Sequence, residues 1–163
     1  MPGTAASMNL PARPLWRIDP RYARYLLLVA RSPIDRYGVF AAETIPAKRR
    51  VVEYTGEKIS HKEADRRFFK ILRTGRPRRF YFFILNRRWV VDGAVSGSGA
   101  ELINHGCTPN LVRRRIAGHI YYYSARKIRA GEELLVDYRY SPQTVRLKCR
   151  CGSPKCRGTL NLK

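Results

Sequence analysis

The sequence is poor in acidic residues and lacks long apolar segments, and each shortage narrows what the protein can be. Only 12 aspartates and glutamates stand against 33 lysines and arginines, which leaves a formal net charge of +21. The longest apolar run, Tyr25 to Ala30, is too short to cross a membrane and has arginines on both sides. Nothing at the N-terminus resembles a secretory signal peptide. We therefore expect a cytoplasmic protein without a membrane partner.

Cysteine is also scarce, and its spacing is informative. One of the four cysteines lies in the polar stretch Asn104-His105-Gly106-Cys107-Thr108-Pro109-Asn110, and three form a Cys-x-Cys-x4-Cys cluster near the C-terminus. Two disulfides or free thiols are the alternatives, but the tight spacing without a signal peptide favours a metal site. Four thiolates complete a tetrahedral Zn²⁺ shell. The predicted zinc ligands are Cys107, Cys149, Cys151 and Cys156.

The length and composition fit one domain with a tail. A chain of 163 residues with 44% hydrophobic residues can bury a core. Residues 1–20 begin with prolines and small residues and show no apolar period, so we expect a flexible N-terminus. Residues 21–140 should form the main domain, and residues 141–163 a zinc-binding tail that folds back onto the Cys107 loop. We expect a monomer.

Short β-strands separated by turns dominate the predicted secondary structure. Ser60 and Glu63 have the spacing of a helix capping box, which predicts one helix through about Leu72. Asn86-Arg87 should form a hairpin turn, and Ala100 to Ile103 one helical turn. Strands are predicted at residues 22–31, 38–42, 50–57, 79–85, 88–92, 111–116, 118–125 and 134–138. The sequence therefore predicts a mainly β fold with one short helix.

The positive charge is concentrated in residues 66–88, residues 113–115 and the tail, where the last acidic residue is Asp137. Such a surface attracts phosphate backbones, and the attraction weakens with salt. The alternative is a solvated basic face without a partner. Nucleic acid, bound through this basic surface, is thus one expected partner.

Five segments, in this order, resemble one known family. They are Ser32 to Ala41, Glu53-Tyr54-Thr55-Gly56-Glu57, the Asn104–Asn110 stretch, Gly131-Glu132-Glu133-Leu134-Leu135-Val136-Asp137-Tyr138, and the Cys149–Gly158 tail. Together they resemble the SET-domain protein-lysine methyltransferases that carry a post-SET zinc tail. The compact chain looks like bacterial or viral members, whose target need not be a histone.

The resemblance implies a fold and a reaction. The fold would be a β-clip of small sheets with a knot-like threading of the C-terminal segment, followed by a post-SET zinc loop. The reaction would transfer a methyl group from S-adenosyl-L-methionine to a lysine amine of a protein substrate, a histone or another nucleic-acid-associated protein. An in-line displacement of this kind needs an aligned amine that has lost its proton. Association with chromatin or a nucleoid is an accompanying expectation.

The resemblance also assigns roles to individual residues. Tyr138 and Tyr54 match the family's catalytic tyrosines, although a strand tyrosine taken alone is more often a core residue. Glycine lets backbone approach a ligand closely, and the post-SET residues would cover the adenine. The predicted cofactor-binding residues are Tyr37, Gly38, Asn104, His105 and Cys149.

Of the positions that depart from the family pattern, two bear on whether the protein is active. Arg36 stands where the family has the first glycine of Gly-x-Gly, and Glu101 stands where an arginine is usual. These departures leave open a non-catalytic SET-like module that binds nucleic acid. A small zinc-stapled basic structural protein is a further alternative, but it gives no reason for the motifs to occur together.

Overall fold

Short strands and one α-helix make up the part of the chain that the structure describes. This computed structural model describes residues 17–74, 80–144 and 146–163. Helix α1 spans His61–Arg73, and a 3-10 turn spans Ala100–Leu102. The strands are β1 (Leu27–Arg31), β2 (Tyr37–Ala41), β3 (Arg50–Tyr54), β4 (Glu57–Ser60), β5 (Phe82–Ile84), β6 (Trp89–Asp92), β7 (Asn104–His105), β8 (Leu111–Ile116), β9 (His119–Ser124) and β10 (Leu135–Val136). The mainly β class with one short helix is confirmed.

The strands form three small sheets, of orders β1-β2, β4-β6-β5 and β3-β9-β8-β10-β7. The last strand, β10, lies between two earlier strands and runs parallel to both. Leu135 pairs with Asn104, and Val136 pairs with both His105 and Leu111. A late strand inserted between earlier ones is what the predicted threading requires; passage of the tail through a closed loop stays a prediction.

The helix begins at the predicted cap. The Ser60 side chain accepts a hydrogen bond from the Glu63 N–H at 3.2 Å, whereas the Glu63 carboxylate pairs with Arg66 and Arg67. Half of the capping box is therefore formed. Ala64 packs with Ile59 and Val90, which attaches α1 to the β4-β6-β5 sheet. From the sequence, Gly75 and Pro77 are expected to end the helix, but both lie outside the described residues.

One apolar core draws residues from all three sheets. Three of the five residues of β3 and alternating residues of β9 point into it, and the segment after Ser124 adds Ile128 and Leu134, both fully buried. The rings of Tyr54 and Tyr122 belong to the same core. Strands β7 and β10 border this core, so the core fixes the positions of the residues in and next to these two strands.

The prediction of one strand over residues 50–57 is wrong, because two strands lie there. β3 ends at Tyr54, and β4 begins at Glu57 in a different sheet. At Gly56 the backbone packs so closely against the Asp92 carbonyl that a Cβ would overlap it. Glycine thus permits the chain to leave one sheet and enter another.

Two other predicted strands are too long. In the segment 22–31 the regular strand starts only at Leu27, and Ala23 instead makes an isolated bridge with Val52. In the segment 134–138 the strand ends at Val136, because the Tyr138 N–H bonds to a histidine side chain. The predicted hairpin is confirmed, with the Asn86 side chain accepting from the N–H groups of Arg88 and Trp89.

The flexible N-terminus falls mostly on residues 1–16, which lie outside the described ranges. Asp19, in the described part, donates its N–H to the Ser98 carbonyl at 2.8 Å.

Within residues 17–74, 80–144 and 146–163, no helix combines the length and the apolarity needed to span a membrane.

Arg67 should be a stability residue, and Arg66 offers a matched control. The Arg67 guanidinium pairs with Glu57, Glu63 and the 6%-exposed side chain of Asp92, whereas 65%-exposed Arg66 pairs with Glu63 alone. Arg67→Ala leaves a buried carboxylate unpaired and should cost about 3 kcal/mol of unfolding free energy. Arg66→Ala should cost at most about 1 kcal/mol. Urea unfolding of the two variants measures the difference, and equal losses would contradict this view of Arg67.

Candidate functional site

The four predicted metal ligands come together in space. The sulfur atoms of Cys107, Cys149, Cys151 and Cys156 all lie within 4.8 Å of one another. The Cys107 sulfur is 3.7 Å from the Cys149 sulfur and 3.9 Å from the Cys156 sulfur. The cluster joins the Cys107 loop to the tail, and it could hold one metal ion.

Two backbone N–H groups point at sulfur atoms of the cluster, whereas burial disfavours the charged form of a thiol. The Arg157 N–H points at the Cys107 sulfur at 3.5 Å, and the Gly158 N–H points at the Cys156 sulfur at 3.4 Å. Burial raises the pKa of the Cys149 thiol to about 12. A bound cation would therefore have to displace protons from the thiols.

His105 connects the cysteine cluster to Tyr138. The Tyr138 N–H lies 3.1 Å from Nδ1 of His105, and Nε2 lies 3.4 Å from the Cys107 sulfur. A backbone N–H can only donate, so Nδ1 accepts and Nε2 of the neutral ring carries the proton toward the sulfur. Burial lowers the pKa of His105, which favours this neutral form.

The hydroxyl of Tyr138 points into the protein. It donates to the Ile103 carbonyl at 2.9 Å, and the ring packs 5.4 Å from the His105 ring. Burial raises the pKa of Tyr138 well above its ordinary value, so the hydroxyl keeps its proton. With that proton engaged by a carbonyl, the oxygen can accept a hydrogen bond from a ligand.

Tyr54 lies in an aromatic group beside the site. Its hydroxyl donates to the Tyr81 carbonyl, and its ring lies 5.3 Å from Phe83 and 6.3 Å from Tyr122. Burial raises the pKa of Tyr54 as well. The sequence analysis missed Tyr81, Phe83 and Tyr122 as site neighbours; the alternation of β9, which turns Tyr122 inward, is the signal that could have found the last of them.

The predicted cofactor residues Tyr37, Gly38 and Asn104 are neighbours. The buried Asn104 amide donates from Nδ2 to the Tyr37 carbonyl at 2.9 Å and to the Glu133 carboxylate at 2.8 Å. The same carboxylate accepts from the Ser32 hydroxyl at 3.0 Å. It lies so close to Gly38 that a Cβ there would overlap it.

This polar cluster explains why residue 38 is a glycine, which could not be predicted from the sequence. The glycine makes room for the Glu133 side chain, which in turn orients Asn104. Ser32 and Glu133 are thus site residues that sequence reasoning missed, although both stand inside the quoted motifs. Cys149 belongs to the sulfur cluster, and its contact with a cofactor stays a prediction.

A partly buried ion pair holds the tail beside Tyr138. The Arg157 guanidinium binds both oxygens of Asp137, at 2.6 and 2.9 Å. Burial works to raise the pKa of Asp137, but the hydrogen bonds from Arg157 and from the Arg139 N–H outweigh it and lower that pKa. Asp137 therefore stays ionised and acts as an anchor for the tail.

The two departures from the family pattern have local explanations. Arg36 has a φ of 28°, in the region that favours glycine, and its side chain is exposed. The Glu101 carboxylate accepts from the Gly99 N–H at 2.8 Å, and burial raises its pKa. Arg36 thus adopts a backbone conformation that glycine favours and turns its side chain outward.

Comparison with known proteins identifies the class of this domain. Residues 36–139 match the family model of the SET domain, well over half of the chain. The chain therefore belongs to the SET-domain family.

The relatives are named as histone-modifying enzymes. "Histone-lysine N-methyltransferase set1" of Dictyostelium discoideum is 39% identical over 135 residues, which are 80% of this chain and 9% of that protein. "Histone-lysine N-methyltransferase, H3 lysine-4 specific" of Saccharomyces cerevisiae is 36% identical over 142 residues, 83% of this chain and 13% of that protein. "Histone-lysine N-methyltransferase ATX2" of Arabidopsis thaliana is 37% identical over 142 residues, 85% of this chain and 13% of that protein. The chain spans about a tenth of the length of these relatives.

Metal binding should depend on pH in a definite direction. Because protons must leave the thiols, the apparent affinity of the cluster for a metal should rise as pH increases from 6 to 8. Cobalt(II) absorbance and competition with a chelator measure that affinity. Cys156→Ser should weaken the affinity for the metal, because it removes one of the four thiols. Ser153→Ala, in the same loop, keeps all four thiols and should still bind one ion. Affinity that is independent of pH would contradict thiol deprotonation on binding.

Proposed function

We propose that this protein is an S-adenosyl-L-methionine-dependent protein-lysine N-methyltransferase. The observation that carries the proposal is the geometry of Tyr138. Its hydroxyl proton is directed to the Ile103 carbonyl, and its backbone N–H to His105. S-adenosyl-L-methionine, when bound, supplies an electrophilic methyl group.

Tyr138 would orient the lysine amine. An N–H of the amine can donate to the Tyr138 oxygen, whose own proton is already engaged. The amine lone pair then stays free to receive the methyl group. Free lysine has a pKa of about 10.4, and an apolar site lowers it by disfavouring the charged form. The rings of Tyr54, Phe83 and Tyr122 provide apolar surroundings of this kind.

Asn104 would bind the amino-acid end of the methyl donor. Its Nδ2 is engaged by Tyr37 and Glu133, while no donor among the described residues reaches its Oδ1. That oxygen can accept from the ammonium group of the ligand. We assign Tyr37, Gly38, His105 and Cys149 to the same pocket, with backbone and ring surfaces as their contributions.

Zinc is the metal we assign to the cysteine cluster. A tetrahedral site with Zn–S bonds of about 2.3 Å has sulfur atoms about 3.8 Å apart. The sulfur–sulfur separations of 3.7 and 3.9 Å fit this value. The zinc role is structural, since all four ligands come from the protein and no position is left open.

The substrate we propose is histone H3, at lysine 4. The support is that relatives such as the Saccharomyces cerevisiae protein are named as specific for lysine 4 of H3. A chain with a net charge of +21 repels a free basic tail at long range. We therefore also propose that nucleic acid near the substrate assists docking, which would occur on chromatin.

Replacing the Tyr138 hydroxyl tests the proposal. Tyr138→Phe keeps the ring but removes the acceptor for the amine, so methyl transfer should fall by about 100-fold or more. Zinc-loaded protein is incubated with labelled S-adenosyl-L-methionine and core histones, with and without DNA. Tyr22→Phe, which removes a hydroxyl from another tyrosine, is the matched control and should retain activity. A Tyr138→Phe variant as active as the control would contradict the role.

A further inference from the structure

The sheet that builds the candidate site also has an outer face. On β9, Ile120, Tyr122 and Ser124 point inward and are buried. Because side chains alternate along a strand, the other three side chains of β9 point to the opposite face. These outward residues are His119, Tyr121 and Tyr123. They form a row of rings along the middle strand of β3-β9-β8.

One arginine from each flanking strand contacts a tyrosine ring, and both rings stay partly exposed. The Arg50 guanidinium, on β3, lies 4.9 Å from the Tyr121 ring centre. The Arg114 guanidinium, on β8, lies 4.8 Å from the Tyr123 ring centre. The His119 ring stacks on Tyr121 at 5.8 Å with an interplanar angle of 14°. The result is a set of planar groups presented side by side, which we call the ring face.

The β8 side of the ring face is partly apolar, and the three strands β3, β8 and β9 carry one carboxylate among them. Val112 and Ile116, which lie on either side of Arg114 on the outer face of β8, are 42% and 44% exposed, so apolar surface stays open to a ligand there. The carboxylate is Glu53, which is bonded to Nδ1 of His119 at 2.6 Å. Arg50 and Arg114 have no partner carboxylate among the described residues, so they can bind another anion.

We propose that the ring face is a binding site for single-stranded nucleic acid. Bases of a single strand expose their faces and stack on aromatic rings and on guanidinium planes. Phosphates of the same strand can pair with the arginines. A duplex keeps the faces of its bases stacked inside, so a flat sheet face cannot use its rings on it. The net charge of +21 favours a polyanion as the occupant.

The proposal stands apart from the proposed methyl transfer. Tyr122 and Tyr54 belong to the inner side of the same strands, whereas the ring face lies on the outer side. A variant of the ring face can therefore lose nucleic-acid binding while methyl transfer to free peptide continues. Conversely, if Tyr138→Phe did not affect methyl transfer, the proposed catalytic role would fail, but the proposal for the ring face would stand.

Binding is measured with the full zinc-loaded chain and a fluorescein-labelled 12-nucleotide single-stranded RNA at several salt concentrations. Tyr121→Leu combined with Tyr123→Leu removes stacking but no charge, so the affinity should fall about 10- to 100-fold with an unchanged salt slope. Arg50→Ala combined with Arg114→Ala should lower the slope of log K against log salt by about 0.7 for each phosphate that the variant leaves unpaired.

Matched controls separate the ring face from general positive charge. Lys148→Ala combined with Lys155→Ala removes the same number of charges from exposed tail positions and should keep most of the affinity. Arg114→Lys keeps the charge but loses the planar group, so it should weaken binding. This variant tests the ring face independently if the tyrosine variant does not fold. The proposal is overturned if the tyrosine variant folds and binds like the native chain, if a 12-base-pair duplex binds as tightly as the single strand, or if an acidic polypeptide competes as well as RNA.

Discussion

The placement of Tyr138 depends on one imidazole ring. His105 accepts the Tyr138 N–H at one nitrogen and faces the Cys107 sulfur with the other. Each bond fixes the role of the opposite nitrogen, so one tautomer of the His105 ring serves both the cysteine cluster and Tyr138. The β10 strand, inserted between β7 and β8, delivers Tyr138 to this ring. The position of Tyr138 is therefore linked to the contact between the Cys107 loop and the tail.

The tail has attachments other than the cysteines. Arg157 binds Asp137 through two charge-assisted bonds, and Lys148 pairs with Thr159 in an isolated bridge. The buried Asn161 side chain bonds to the Ser141 carbonyl and to the Leu147 N–H. The Arg157–Asp137 pair attaches the tail to the main domain, and the other contacts hold segments of the tail together although it has little regular structure.

The sequence predicted the parts of the fold that depend on local pattern. The cap at Ser60 and the hairpin at Asn86 were found because their side chains bond to nearby backbone. The break at Gly56 was missed because its cause is the distant Asp92 carbonyl. The cysteine cluster was predicted from spacing, whereas the Glu133 contact with Gly38 joins segments that are far apart in the chain. Tertiary approach of this kind leaves no local signal, so only the structure could reveal it.

The His105 tautomer tests the account most directly. Long-range ¹⁵N–¹H NMR spectra of the zinc-loaded protein at pH 7.5 distinguish a protonated ring nitrogen from a bare one. The account predicts a neutral ring with the proton on Nε2 and a bare Nδ1, because Nδ1 accepts the Tyr138 N–H. A proton on Nδ1, in the neutral or the charged ring, would contradict the proposed link between the metal cluster and Tyr138.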